Sequence, residues 1–187
     1  ILNMIKLPIE KVDRIYHLSD IHIRNVKRHT EYRSVFNRAY KEIRKNTENS
    51  VIYLGGDIVH AKLDMSPELI DLTSEFFTEL ANLCPLLVLP GNHDCNLNNK
   101  SREDTLSPII DLVKKITPNL HYWKKSGVYT LDNVDFGVMS IFDIDKEGNQ
   151  LTTGLPNPKN LGDDKIALFH GGVDKHFYDN GFQVEDD

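Results

Sequence analysis

The chain has 187 residues, 40% hydrophobic and 27% charged, which is typical of one globular domain with its own core. Its formal net charge of −6 argues against a protein that coats nucleic acid through bulk positive charge. No apolar run approaches membrane-spanning length, and no secretory signal opens the sequence. Cys84 and Cys95 make no disulfide framework, so we expect buried or idle thiols. We therefore expect an intracellular protein, from the cytoplasm or nucleus of a cell or from a virus or phage.

The first half of the sequence alternates short and long apolar segments. Three segments too short and too apolar for helices are predicted as strands: Arg14–Leu18, Val51–Leu54 and Leu86–Leu89. Three helices are predicted between and after them: Thr30 to about Lys45, a helix that begins at Ser66-Pro67, and Ile109–Ile116 after a second N-cap signal at Ser107-Pro108. This order predicts parallel strands covered by helices.

The second half is rich in strands with short turns between them. The predicted strands are His121–Trp123, Val128–Leu131, Val134–Ile141 and, after a loop over Gln150–Asp164, Ile166–Phe169. Short connections without helices indicate antiparallel additions or a second sheet. We therefore predict an α/β fold built as a layered α-β-β-α sandwich.

Four polar motifs each follow a predicted strand: Asp20-Ile21-His22, Gly56-Asp57, Gly91-Asn92-His93-Asp94, and His170. Singly, each is equally well explained as a turn, because Gly and Asn favour turns. Together they are expected to meet, because ligands in open α/β sheets bind beyond the carboxyl ends of the strands. Carboxylate, amide and imidazole groups bind hard and borderline divalent metals, so the set indicates a two-metal phosphoester hydrolase.

The spacing predicts a role for each candidate ligand. Asp20 and His22 stand two residues apart, so both side chains can bind one metal. Asp57 lies centrally and can bridge two metals about 3.5–4 Å apart. Asn92 adds a neutral amide oxygen, and His170 offers a nitrogen to the second metal.

His93 is predicted to act on the substrate. Projecting differently from its neighbour Asn92, it is a candidate general acid that protonates the leaving oxygen after a metal-activated hydroxide attacks phosphorus. Asp94 is expected to hydrogen-bond an imidazole and keep it oriented or protonated. The alternative is that His93 is a further ligand or a turn residue.

A basic stretch follows the first motif. Its members are Arg24, Lys27, Arg28, Arg33, Arg38, Lys41, Arg44 and Lys45. It is either a solvated helix face or a surface for a phosphate backbone beside the site. In the second case Arg24, Lys27 and Arg28 are the candidate substrate-binding residues.

The ordered motifs resemble the signature of calcineurin-like metallophosphoesterases, from about Arg14 to Gly172. The segment Gly56–His60, followed by the Ser66-Pro67 helix, resembles the SbcD-type nuclease subunits of DNA double-strand-break repair complexes. This resemblance implies a metallophosphoesterase-type sandwich, two divalent metal ions, most often Mn²⁺, DNA as substrate, an SMC-like ATPase partner and a tendency to form homodimers. It implies five metal ligands and two catalytic histidines: Asp20, His22, Asp57, Asn92 and His170, with His93 as acid and His60 on the substrate side. The alternative for His60 is a partly buried loop residue.

One motif of that family is not found in the sequence. The family completes its site with Gly-x-His or Gly-His-x-His, whereas only His176 follows His170, and we assign it no metal role. We therefore expect residues 1–187 to be a nuclease domain truncated at its C-terminal side, a fragment without the capping domain and ATPase-binding segment. The alternatives are a phosphoesterase acting on phosphoprotein, nucleotide or other small phosphate esters, and an inactive binding scaffold.

Overall fold

Two four-stranded sheets carry the fold in the computed structural model of the chain, which describes residues 4–7, 9–60, 64–99, 102–132, 134–144 and 156–171. The strands of the described part are β1 (Met4–Lys6), β2 (Arg14–Leu18), β3 (Ser50–Leu54), β4 (Leu86–Val88), β5 (Leu120–Tyr122), β6 (Gly127–Leu131), β7 (Val134–Met139) and β8 (Lys165–Phe169). The α-helices are α1 (His29–Ile43), α2 (Pro67–Leu83) and α3 (Leu106–Lys114).

The first sheet has the order β2-β3-β4-β5, and all its strands are parallel. In its register Leu18 pairs with Leu54, Leu54 with Val88, and Val88 with Tyr122. The carboxyl ends of the four strands therefore lie along one edge, where the polar motifs begin.

All three helices pack on one face of this sheet. Their apolar residues share one core with β3, β4 and β5, and the rings of Phe36 and Phe76 stack at 4.1 Å between centroids. Helix α2 begins as the sequence indicates, because the Ser66 hydroxyl accepts a hydrogen bond from the Leu69 N–H at 3.1 Å.

The second sheet has the order β1-β6-β7-β8 and packs on the other face of the first. A second core lies between the sheets and includes Tyr53, Leu87, Trp123, Tyr129 and Phe136. The fold is thus a mixed α/β sandwich with a parallel sheet and helices, and the predicted class is confirmed. The described residues contain three of the four predicted layers, one of helices and two of sheet. They include no α-helix for the second helix layer, which was predicted outside the second sheet.

Three local predictions are wrong. Strand β5 extends the first sheet in parallel, because α3 supplies the crossover that parallel strands need. Strand β8 also pairs in parallel, with β7, so β6 and β7 are the one antiparallel pair among the strands of the described residues. Helix α3 begins before Ser107, because the Asp104 carboxylate accepts from the N–H groups of Leu106 at 3.0 Å and Ser107 at 2.8 Å.

Candidate metal centre

The loops after β2, β3, β4 and β8 meet at one edge of the sandwich. Three of them extend strands of the first sheet and bring Asp20, Asp57 and Asn92 to this edge. The fourth extends β8, so His170 arrives from the second sheet, although the sequence suggested a single sheet edge. The centre is therefore built across the junction between the two sheets.

The backbone of the candidate ligands is held in an uncommon conformation. Asp20, His22 and Asp57 have φ angles of 56°, 49° and 54°, in the left-handed region that non-glycine residues seldom occupy. Inter-loop hydrogen bonds support it: the Asp20 N–H donates to the Gly56 carbonyl at 3.1 Å, and the His22 N–H donates to the Asp57 carbonyl at 2.9 Å. The loops thus fix each other before any ligand is bound.

The Asp57 carboxylate lies at the middle of the centre. Its Oδ2 is 3.4 Å from His22 Nε2, and its Oδ1 is 3.3 Å from His170 Nε2. Burial would raise the pKa of Asp57, but hydrogen bonds from the His170 ring and from the His93 N–H, at 2.8 Å, lower it below its usual value. Each carboxylate oxygen faces a different imidazole, which is the arrangement that a bridging carboxylate needs.

Gly91 lets the loop after β4 approach this carboxylate. A Cβ atom at position 91 would stand 2.2 Å from the Asp57 amide nitrogen and 2.3 Å from its Oδ1. Both contacts are far inside van der Waals distance, so no residue with a side chain fits here without moving Asp57. The glycine of the third motif is therefore required by close packing against Asp57.

His170 is oriented by the chain itself. Its Nδ1 lies 2.7 Å from the Gly55 carbonyl oxygen and must donate to it, which points Nε2 toward Asp57 and toward Asn92 Oδ1, 3.1 Å away. Burial lowers the pKa of His170, but Asp57 and the Gly55 carbonyl raise it more, to about 9. Without a metal, the imidazolium supplies the positive charge beside Asp57.

Two clusters at this edge have the composition of metal sites. In each, one ligand atom per residue lies within 4.8 Å of the others: Asp20 with Asp57 and His170, and His22 with His60 and His93. The first cluster, with the Asn92 amide oxygen beside it, offers the mixed oxygen and imidazole donors that divalent cations take. The side chains present therefore fit the predicted divalent metals.

The rings of His93 and His60 stack in parallel, with centroids 5.4 Å apart and an interplanar angle of 12°. His93 Nδ1 lies 3.1 Å from the His60 carbonyl oxygen, which can only accept, so this nitrogen carries a proton and the free nitrogen is Nε2. Burial, Arg24 and the neighbouring imidazoles of His22 and His93 lower the pKa of His60. His60 is half-buried, as the alternative interpretation expected, and it also lies among the site residues.

Asp94 makes different contacts from those expected. It is fully buried, and its carboxylate accepts from the Val59 N–H at 2.9 Å and the Gly91 N–H at 2.8 Å instead of from an imidazole. Burial raises the pKa of Asp94 to about 7. An unpartnered buried N–H is costly, and Asp94 satisfies one such group in the loop after β3 and one in the loop after β4, so it holds these two loops together. The His93 ring is held instead by the His60 carbonyl.

The basic stretch is less positive than its sequence suggests. Four of its members pair with acidic side chains: Arg28 with Glu31, Arg33 with Asp71 and Glu75, Arg44 with Glu79, and Lys45 with Glu42. Arg24 is exposed and stands next to Ile23, whose carbonyl accepts from the His60 N–H at 3.0 Å. Lys27 is also exposed. Of the three candidate substrate contacts, Arg24 is therefore the one tied to the site.

Sequence patterns did not reveal several supporting groups. The Ser19 hydroxyl donates to Asp20 Oδ2 at 2.5 Å, and the Tyr32 hydroxyl donates to the His22 carbonyl at 2.7 Å. Tyr32 lies on α1, and no local motif marks it. Cys84 and Cys95 are both buried, as expected, and His176 lies outside the described residues.

Metal binding is expected to displace a proton from His170. The pKa of about 9 leaves its imidazole protonated near neutral pH, whereas a metal takes the neutral ring. Metal binding should therefore release about one proton, and the metal affinity should increase as pH rises toward 9. Over the same pH range the metal-free protein loses the stability that the imidazolium gives it. Calorimetric titration with Mn²⁺ in buffers of different ionisation enthalpy measures the release. His170→Asn should release fewer protons, and an unchanged count would contradict the assignment.

The chain is similar in sequence to known proteins. Residues 13–186 match the calcineurin-like phosphoesterase family. A curated relative, an uncharacterized protein of Acanthamoeba polyphaga mimivirus, is 45% identical over 184 residues, covering 95% of this chain and 13% of that protein. The chain thus spans a small part of that relative. Within the described residues, no helix is long and apolar enough to span a membrane.

Proposed function

We propose, because the chain belongs to the calcineurin-like phosphoesterase family, that its metal-dependent phosphoester hydrolysis is directed at DNA phosphodiester bonds, as in nucleases of the SbcD type. The observation that carries the hydrolytic part is the placement of Asp57 between His22 and His170, one carboxylate oxygen facing each ring. The proposed ligands of two ions, with Mn²⁺ as the first candidate, are Asp20, His22, Asp57, Asn92 and His170.

The chain's own residues define the proposed chemistry. Bound divalent cations would neutralise phosphate charge and lower the pKa of water. Asp57 would hold the two ions together, and His170 would give up its proton to take one of them. His93, with Nδ1 donating to the His60 carbonyl, would present Nε2 to the leaving oxygen and protonate it. His60 would line the substrate side and position His93 through its carbonyl.

Two features support a polymeric substrate over a small ester. The centre opens to solvent, since Asp20 is exposed and the rings of His22, His60 and His93 are half-exposed. The exposed Arg24 lies near enough to His60 for its charge to lower the pKa of that ring, and a phosphate next to the scissile one would pass there. The resemblance of the Gly56–His60 segment to SbcD-type nucleases points the same way. An SMC-like ATPase partner and a homodimer belong to this proposal.

The substrate class is tested by comparing the hydrolysis of four substrates. Manganese-loaded protein is incubated with linear duplex DNA, single-stranded DNA, bis(p-nitrophenyl) phosphate and a phosphoserine peptide. We expect degradation of at least one DNA substrate. Turnover of the small esters alone would replace the nuclease proposal with a phosphoesterase of phosphoprotein or small phosphate esters. No turnover at full metal occupancy would favour a binding scaffold.

Arg24→Ala should weaken DNA hydrolysis and leave a small substrate almost untouched. Removing one phosphate contact should raise KM for DNA and reduce the slope of log affinity against log salt by about one unit. Bis(p-nitrophenyl) phosphate has no flanking phosphate, so its kcat/KM should change little. Arg38→Ala is the matched control, because Arg38 is another exposed arginine of the basic stretch and lies farther along the chain, on α1. Equal losses on both substrates would show that Arg24 supports the centre itself.

A further inference from the structure

The half-exposed histidines on the substrate side form a donor set of their own. His22, His60 and His93 each place one ring nitrogen within 4.8 Å of the others, and all three side chains are open to solvent. The candidate ligands around Asp57 are dominated by oxygen, whereas this cluster offers imidazole alone. Oxygen-rich sets suit manganese and magnesium, while three imidazoles suit zinc, copper and nickel. The two clusters should therefore select different metals.

The spacing of two of the ring nitrogens matches a tetrahedral ion. Two nitrogens that each lie about 2.0–2.1 Å from a tetrahedral zinc stand about 3.4 Å apart. His22 Nδ1 and His60 Nδ1 are 3.4 Å apart. His93 lies against both rings, at 4.8 Å from His22 and 5.4 Å from His60 between centroids, and its Nδ1 is engaged by the His60 carbonyl. Its Nε2 is then the nitrogen left to complete the set.

We propose that His22, His60 and His93 form a three-imidazole site for a zinc-class ion, and that occupancy of this site switches off hydrolysis. The fourth position of the ion would hold water, as in other zinc sites with three protein ligands. His93 bound through Nε2 can no longer deliver a proton to a leaving oxygen. The binding half of this proposal is independent of the nuclease assignment, and the inhibitory half rests on it.

The geometry also makes the two sites compete for one ring. His22 faces Asp57 with Nε2 at 3.4 Å and faces His60 with Nδ1. A neutral imidazole binds one ion through one nitrogen, so a zinc held at Nδ1 leaves Nε2 protonated and directed at the Asp57 carboxylate. Zinc should therefore displace manganese from the His22 side and leave the side of His170 and Asn92 intact. About one of two manganese ions should be lost as one zinc binds.

Cobalt(II) tests the site by its absorption spectrum. Tetrahedral Co²⁺ absorbs visible light far more strongly than octahedral Co²⁺, so a band that saturates at one equivalent in the intact protein, and that zinc bleaches, is expected. His60→Asn should reduce the affinity of this site for Co²⁺ at least tenfold. His170→Asn, which removes one imidazole from the other cluster, is the matched control and should keep the band. A band that persists in His60→Asn or disappears in His170→Asn would overturn the site.

Two further measurements separate the halves of the proposal. In the unmutated protein, paramagnetically shifted ring protons from three histidines should appear with the cobalt band, and shifts from fewer rings would refute the site without any variant. Zinc should inhibit the manganese enzyme over the concentration range that bleaches the band. Binding without inhibition would reject the switch and keep the site. A protein that binds zinc but hydrolyses no phosphoester would reject the proposed function, and the inhibitory half with it, and would keep the zinc site.

Discussion

Replacing Asp57 by asparagine should remove one metal ion from the centre and reduce hydrolysis by at least about 10³-fold. Loss of an outer partner of a metal ligand already costs roughly 10–100-fold in metal affinity or activity, and Asp57 is proposed as the ligand shared by both ions. The amide removes the negative charge between His22 and His170 and leaves one oxygen in place of two. The effect should appear in metal content and in kcat together.

The asparagine variant is chosen to separate this effect from misfolding. Its amide oxygen can still accept the His93 N–H, which Asp57 Oδ1 accepts at 2.8 Å. Asp111→Asn, an exposed position on α3, is the matched change of one charge away from the centre. Metal analysis and turnover should be unaffected in that control. If Asp57→Asn kept the metal content of the unmutated protein, the bridging role would be withdrawn.

In the manganese-loaded protein, His93→Ala should keep the manganese ions and lose turnover by roughly 10²–10⁴-fold, the contribution of a positioned general acid. The His93 backbone N–H donates to Asp57 Oδ1 at 2.8 Å, and alanine retains this hydrogen bond. Metal content and thermal stability should therefore stay close to those of the unmutated protein. This pattern distinguishes an acid from a ligand, because removal of a ligand lowers the metal content as well.

The leaving group provides a sharper test of the same role. A nitrophenolate departs without needing a proton, whereas the alkoxide left by DNA cleavage needs one. The loss caused by His93→Ala should thus be much smaller for bis(p-nitrophenyl) phosphate than for DNA. Equal losses on the two substrates would remove His93 from the acid role and favour a part in binding phosphate.

The sequence predicted what local patterns encode. Parallel strands with covering helices followed from the alternation in the first half, and the Ser66 cap followed from one serine beside one proline. The meeting of Asp20, Asp57 and Asn92 followed from their positions after strands of a single parallel sheet. Each inference needed only the order of elements and a short motif.

Contacts between distant segments could not be predicted in this way. No pattern indicated that β1 would pair with β6, because its three residues carry no periodicity. The partners of Asp94 are N–H groups at positions 59 and 91, and a motif cannot state which loops will lie beside a carboxylate. The same holds for the pairing of Arg33 with Asp71 and Glu75, which lowers the charge expected from the basic stretch alone.

The left-handed backbone at Asp20, His22 and Asp57 limits how this centre can be transplanted. A designer who copied the candidate ligand side chains onto another α/β scaffold would inherit ordinary loops, from which the same side chains point elsewhere. The portable unit is the set of loops with their mutual hydrogen bonds, Gly91 and the buried Asp94. Grafts that carry these loops should hold metal, whereas grafts of side chains alone should not.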